Sequence, residues 1–302
     1  MHRETRVIAL GFFDGVHIGH GALLSRVAQV AGQLNAVPAA LTFDRLPKHG
    51  ADTLLLGTAE DRRHLMERCY GIEEVDVLTF DRGMMEMPWQ QFVTDVLAQR
   101  FCAVHVVAGH DFRFGYKGEG NPEKLKTLCG ELGIGCDIIG RVELDGITVS
   151  STHIRSLIQQ GEMEEACRFL GHPHMLSGEV VHGKGLGRTI GIPTANLIPA
   201  DNLLMPDFGV YVTRVVTEEG SYPAVTNVGN RPTVDDGNAV TVEPWILDFE
   251  GDLYGRSICV EFYKKLRGER KFDSLEALQA EIFRNADQTR RYFAEKDFIR
   301  EG

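Results

Sequence analysis

No two cysteines of this chain form a Cys-x-x-Cys pair and no His/Cys cluster has zinc spacing, so a structural zinc site is not expected. The six cysteines, Cys69, Cys102, Cys129, Cys136, Cys167 and Cys259, read as free buried thiols. Basic residues are outnumbered: 32 Lys and Arg against 43 Asp and Glu leave a formal net charge of −11. That balance argues against a general nucleic-acid binder, which needs clustered cations along its site, while leaving room for small polyanions at local sites. Nothing approaches the roughly 20 consecutive apolar residues that span a bilayer. The first residues lack the apolar core and cleavage site of a signal peptide. A cytoplasmic protein with no membrane partner is the expectation. Repeats, low-complexity tracts and the Walker A spacing are also missing.

What is present suits a two-domain globular protein: 302 residues, 43% hydrophobic and 25% charged. In the first half, apolar runs alternate with helical patterns. Strands are expected at 6–10, 39–43, 75–80, 103–108 and near 136–139. Helices are expected at 59–70, 89–100 and 122–132, and in a segment with Leu24, Val27, Ala28, Ala31 and Leu34 on one face. Such alternation implies a parallel sheet covered on both faces. Two short helices, 152–160 and 163–170, precede a linker at 171–176. Beyond Gly178 the texture becomes β-rich, with strands at 179–182, 209–216, 222–228, 240–249 and 257–263 separated by turn residues, as in a small antiparallel barrel. A long helix from Ser274 to about Lys296, with Leu275, Leu278, Ile282 and Phe283 on its apolar side, closes the pattern.

Three segments in the first half can hold phosphate. Between the first strand and helix runs Gly11-Phe-Phe-Asp-Gly-Val-His-Ile-Gly-His20, with His17 and His20 three apart at a helix start. Unpaired N–H groups and the helix dipole favour an anion there, and imidazoles can donate to a leaving pyrophosphate. Two histidines on an exposed turn is the plainer alternative. A second segment carries Gly109, Gly115 and Gly118 around Arg113 and Lys117, either gripping a nucleotide or merely connecting elements. The third, Val149-Ser-Ser-Thr-His-Ile-Arg155, sets Ser150, Ser151 and Thr152 at a helix start, with Arg155 one turn in. All three fall at the ends of expected parallel strands, where open α/β sheets bind ligands.

The second half has its own anion loop, Gly183, Lys184, Gly185, Gly187, Arg188 and Gly191, followed by Pro193-Thr-Ala-Asn196. Thr194 and Asn196 lie two apart in an extended segment, hence on one side, and present hard oxygens of the kind that suit magnesium. Glu243 interrupts a largely apolar run; by alternation alone it is either a surface carboxylate or a base aimed into a site.

GFFDGVHIGH, GHDFRFG and SSTHIR, in this order, resemble the adenylyltransferase module of bacterial bifunctional riboflavin kinase/FAD synthetases. GxGRxxGxPTAN, NVGNRPT and Val242-Glu243 before LDFxGDLYG look like the riboflavin kinase domain of the same family. The resemblance implies a nucleotidyltransferase-type Rossmann-like domain over 1–170 and a kinase barrel over 177–302. It also implies riboflavin, FMN, FAD and ATP as ligands and Mg2+ accompanying ATP. His17 and His20 would then meet the ATP phosphates, with Gly11, Asp14, Gly19 and Arg113 at the nucleotide and Ser151, Thr152 and Arg155 closing on its β- and γ-phosphates. In the kinase half, the glycine-rich loop would take a second nucleotide and Thr194 and Asn196 the magnesium. Glu243 would accept the riboflavin hydroxyl proton, and Arg267 would sit beside the flavin. The chain departs from the family at Phe12, usually Asn, at Asp44-Arg-Leu-Pro47, usually with a His-Pro step, and at Pro244, commonly a strand hydrogen-bond donor. Two other readings fit parts of the chain: a riboflavin kinase with a weak or vestigial adenylyltransferase module, and a non-catalytic flavin-binding regulator.

Overall fold

The computed structural model describes residues 4–45, 53–182, 191–231 and 239–300, without the side chains of 231, 239 and 296–300. Two compact units emerge, one of Met1–Thr53 with Ala59–Ser151, the other of Leu54–Thr58 with Thr152–Gly302.

The first unit is built on β1 (Arg6–Leu10), β2 (Val37–Phe43), β3 (Glu74–Leu78), β4 (Ala103–Gly109) and β5 (Gly135–Ile139). They form one parallel sheet in the order β3-β2-β1-β4-β5. Val7, Ile8 and Ala9 of the central strand are fully buried, as a parallel strand covered on both faces requires. The order reverses between β1 and β4, so the crevice beyond their carboxyl ends is the switch point where such sheets take ligands.

Helix α1 (Ile18–Leu34) buries Leu23, Leu24, Val27, Val30 and Ala31. Asn35 ends it in the left-handed region, its N–H bonding back to Ala31. Leu34, expected on the apolar face, is instead 50% exposed as the last residue before this cap. Helix α2 (Ala59–Tyr70) covers the strands through Arg62, Leu65 and Met66. Three elements of this unit were not expected: α3 (Arg82–Glu86), capped by the Asp81 carboxylate, and the strands β6 (Glu143–Leu144) and β7 (Ile147–Thr148) of a short hairpin. The expected helix at 89–100 begins as α4 (Trp89–Gln91) and continues with π-type bonding over Phe92–Arg100, which ends with the Phe101 N–H donating to Val96 five residues back. Helix α5 (Pro122–Glu131) starts with proline at N1, behind the Asn121 cap.

In the second unit, α6 (Ser151–Gln159) contributes all but its first residue, followed by α7 (Met163–Leu170). The strands are β8 (His174–Val181), β9 (Asn196–Pro199), β10 (Gly209–Thr217), β11 (Gly220–Arg231), β12 (Ala239–Ile246) and β13 (Ser257–Arg267). They close into a barrel in the order β10-β11-β12-β9-β8-β13. Strand β8 starts at His174, within the segment expected to be linker, because 174–179 pairs with β13. Val228, Val242, Val260 and Phe262 are fully buried.

The last helix, α8 (Leu275–Arg300), begins behind Ser274, whose hydroxyl accepts from the Ala277 N–H. Its apolar face differs from the expected one: Leu275 is 64% and Phe283 45% exposed, while Glu281, Asn285, Ala286, Thr289 and Phe293 are buried. The cysteines are free, but only Cys129 is buried and Cys69 is exposed.

Gly115 shows how tightly the loop after β4 is held. Its φ is +72°, and a Cβ there would lie 2.5 Å from the Trp89 backbone. Gly115→Ala should therefore destabilise the first unit by about 2–4 kcal/mol, the sum of left-handed strain and a backbone clash. Denaturation followed through Trp89 fluorescence measures this, and an unchanged midpoint contradicts it.

Candidate functional site

The loop leaving β1 is wound tightly. Phe13 (φ +58°), Gly15 (φ +76°) and Val16 (φ +41°) all have positive φ. A β-branched residue there is an outlier, and such strain tends to be held at sites of function. His17 follows as the N-cap of α1, its Nδ1 accepting from the His20 backbone N–H at 3.2 Å. With Nδ1 so used, a neutral His17 carries its proton on Nε2. The two imidazoles stack with centroids 3.6 Å apart, and Phe13 meets His20 edge-on. Gly19 explains the spacing of the motif: a Cβ there would lie 3.1 Å from the His17 ring, which folds back over the first turn. Likewise a Cβ on Gly11 would lie 3.0 Å from the Phe13 ring.

His20 Nδ1 is buried without a hydrogen-bond partner. A buried polar atom in that state calls for an explanation, and a ligand oxygen provides one. Burial, then the neighbouring His17 and Arg62, holds the His20 imidazole well below its usual pKa, so His20 is neutral at neutral pH.

Asp14 is 3% exposed, and its backbone carbonyl accepts from the Ser151 hydroxyl at 3.1 Å. Thus Gly11, Asp14, His17, Gly19, His20 and Ser151 are brought together in the first unit. Arg113 is exposed on the loop after β4, where a Cβ on Gly118 would touch its own Cβ. In the second unit Thr152 is exposed, and Arg155 Nε donates to the Leu54 carbonyl at 3.0 Å.

The sequence reading missed Arg62. This residue is 1% exposed, and its guanidinium donates to the Phe12 carbonyl, to Thr42 Oγ1 at 2.7 Å and to the Phe43 carbonyl at 3.1 Å. It also lies over the Phe12 ring, 4.3 Å from the centroid. Burial lowers its pKa, against the nearby charges of Asp14, Asp61 and Asp44. Its signal was present in the helix pattern: Arg62 stands three and four residues before Leu65 and Met66, on their buried stripe. At the second departure, Asp44 and Arg45 bond to Phe80, while Leu46 and Pro47 lie outside the described residues.

In the barrel, strand register places the candidate residues. Glu243 pairs with Asn227 on β11, Asn227 with Val210 on β10, and Val210 with Arg267 on β13. Directly paired residues present their side chains to one face, so these form a single cross-strand row. Val242, Pro244 and Ile246 alternate inward, leaving Glu243 half-buried on the outer face. Glu243 is therefore neither a fully solvated surface carboxylate nor a core residue.

On the other side of β12, Val242 pairs with Leu197 and the Ala195 N–H donates to the Pro244 carbonyl at 2.9 Å. Continuing that antiparallel register sets Asn196 opposite Glu243, in the narrow kind of pair whose side chains approach most closely. Thr194 lies two residues back, also half-buried. Pro244 causes no bulge with β11, where the register is continuous. A strand residue's N–H and C=O point the same way, so the missing N–H faces Ala195, just before β9 begins.

Arg267 is engaged by α8: its Nε bonds Asn285 at 3.2 Å and lies 3.7 Å from Glu281, with its guanidinium over Phe272. Glu281 also pairs with Arg270 and Arg284. Tyr254 stacks on His182, the ring centroids 3.7 Å apart. Gly183, Lys184, Gly185, Gly187 and Arg188 lie outside the described residues.

Two family models match the chain, FAD synthetase over residues 1–153 and Riboflavin kinase over 170–293. A bifunctional riboflavin kinase/FMN adenylyltransferase of Listeria monocytogenes is 36% identical, the match covering 96% of this chain and 93% of that protein. One of Escherichia coli is also 36% identical, covering 96% and 94%. A crystal structure described as a macrolide-efflux protein from Streptococcus pneumoniae superposes with a TM-score of 0.84 at 32% identity, covering 96% of this chain and 95% of that one. Among the described residues here, no helix is long and apolar enough to cross a membrane. Both halves match their own family model and the relatives match over more than nine-tenths of each chain, so the chain belongs to the family of bifunctional riboflavin kinase/FMN adenylyltransferases.

Proposed function

We propose that the chain, a cytoplasmic enzyme, phosphorylates riboflavin with ATP in the half spanning 177–302 and adenylylates the resulting FMN to FAD in the half spanning 1–170. The row that sets Glu243 between Asn227 and Asn196 carries the kinase reading. An alcohol nucleophile must lose a proton, and Glu243 accepts it as the riboflavin 5′-oxygen attacks the ATP γ-phosphorus. The γ-phosphorus–oxygen bond to ADP breaks, giving FMN and ADP. Thr194 and Asn196 offer neutral hard oxygens beside that carboxylate, a donor set that fits magnesium carrying nucleotide phosphates. When bound, the ion neutralises charge on those phosphates. Gly183, Lys184, Gly185, Gly187 and Arg188 cradle the nucleotide, and Arg267, held by α8, borders the flavin.

Adenylylation asks less of acid–base chemistry. An FMN phosphate oxygen, already ionised, attacks the ATP α-phosphorus, and pyrophosphate leaves. His17 and His20 stabilise the charge growing on that leaving group, and the orphaned His20 Nδ1 supports this role. Gly11 and Gly19 admit the phosphates, and Asp14 and Arg113 border the nucleotide. Ser151, Thr152 and Arg155 bind its β- and γ-phosphates.

Incubation with riboflavin and MgATP, resolved by chromatography, tests the whole reading. FAD supports both activities, FMN alone removes the second, and neither product leaves only flavin binding. Glu243→Gln should abolish riboflavin phosphorylation, a loss of about a hundredfold or more, while added FMN is still converted to FAD. Retained phosphorylation removes Glu243 as the base. His20→Ala should lower pyrophosphate release from FMN and ATP by about a hundredfold with the kinase spared; equal loss of both rates contradicts separate sites.

A further inference from the structure

Arg62 is a buried charge that the reaction scheme above does not use. We propose that Arg62 is a positioning residue of the N-terminal site: its guanidinium ties the end of β1 to the end of β2 and fixes, through the loop it anchors, where His17 and His20 meet the nucleotide phosphates. The proposal rests on the adenylyltransferase reading of this half.

The geometry is specific to a guanidinium. One terminal nitrogen reaches both the Phe12 carbonyl, two residues beyond β1, and Thr42 Oγ1 on β2, while the other reaches the Phe43 carbonyl. Thr42 Oγ1 in turn donates to the Phe12 carbonyl at 2.8 Å, closing a small network. The planar fork serves two strand ends at once and stacks on the Phe12 ring; an ammonium is a single point of attachment. Phe12 is one of the positions where the chain departs from the family pattern, and the stacked cation gives that aromatic ring a defined place. From Phe12 the chain enters the positive-φ turn at Phe13, Gly15 and Val16 and then His17. A displacement of the Phe12 carbonyl is therefore passed directly to the imidazoles.

Arg62 also acts through its charge. The charged and titratable groups around the pair are His17, stacked on His20, and Asp14, Asp61 and Asp44, whose fields reach Arg62. The guanidinium and His17 both oppose a proton on His20, in addition to burial. Removing the cation lets the His20 pKa rise toward the ordinary imidazole value, so His20 becomes protonated at a higher pH than in the native chain.

Two variants separate fork from charge, with riboflavin phosphorylation in the same full-length chain as the folding control. Arg62→Met should lower FAD formation from FMN about a hundredfold, leave the kinase rate unchanged and move the His20 titration upward, followed by NMR of labelled histidine. Arg62→Lys should restore the His20 titration but recover only part of the FAD rate. An unchanged FAD rate, an unchanged His20 titration in Arg62→Met, or an equal loss of both activities overturns the proposal. If the native chain makes no FAD, the adenylyltransferase reading fails, and the His20 titration still tests Arg62.

Discussion

Backbone hydrogen bonding must be satisfied wherever water is excluded, and both candidate sites occupy places where a sheet stops satisfying it. In the first unit the parallel strands β1 and β4 end at the reversal of strand order, and the chain turns there into a loop and a helix N-terminus. In the barrel, pairing of β12 with β9 ends beside Glu243, at the Ala195–Pro244 contact. At such places amides and side chains can turn from internal bonding to a ligand. The glycines and the proline follow from this. Gly19 leaves room for the His17 ring, and Pro244 withholds a donor only on the side where pairing is already ending.

Each half also places a charged side chain on the buried stripe of a helix. Arg62 on α2 and Glu281 on α8 cannot be left alone in a dry interior, since an unpaired buried ion costs far more than an apolar residue. Each is surrounded by its complements: carbonyls, a hydroxyl and nearby aspartates around Arg62, and arginines from the end of β13, the connection after it and α8 around Glu281. The result in both cases is orientation. Arg62 fixes the exit of β1, and Glu281 with Asn285 fixes Arg267 at the end of the cross-strand row. Burial of such groups adds little net stability, but it restricts the geometries open to the residues beside them.

Elements with strong periodicity were readable in advance. Arg6–Leu10, Ala59–Tyr70 and Met163–Leu170 lie where apolar spacing put them, and the antiparallel barrel followed from alternation between turn residues. Short elements carried too little pattern: the hairpin at 143–148 has two residues per strand, and Arg82–Glu86 is a single capped turn. Strand β9 was visible only as an extended segment, because four residues carry too little alternation to mark a strand. Hydrophobicity misled most on α8, where Leu275 and Phe283 face outward because Glu281, Asn285 and Thr289 take the inner stripe. The same blindness to buried polar groups hid Arg62. Glu243 was undecided by alternation alone, and cross-strand register supplied its neighbours.

The short segment Leu54–Thr58 belongs to the second unit although it lies early in the chain. Leu55 exchanges backbone bonds with Asn202 and Leu204, and Leu54 accepts from Arg155. A single scission between the halves therefore separates residues that this unit bonds together. A fragment beginning at 177 leaves this segment and Arg155 behind, stripping 202–204 of the two backbone bonds made with Leu55. Any single cut between 58 and 202 thus leaves Leu55 on one piece and the backbone groups of 202–204 that it bonds on the other.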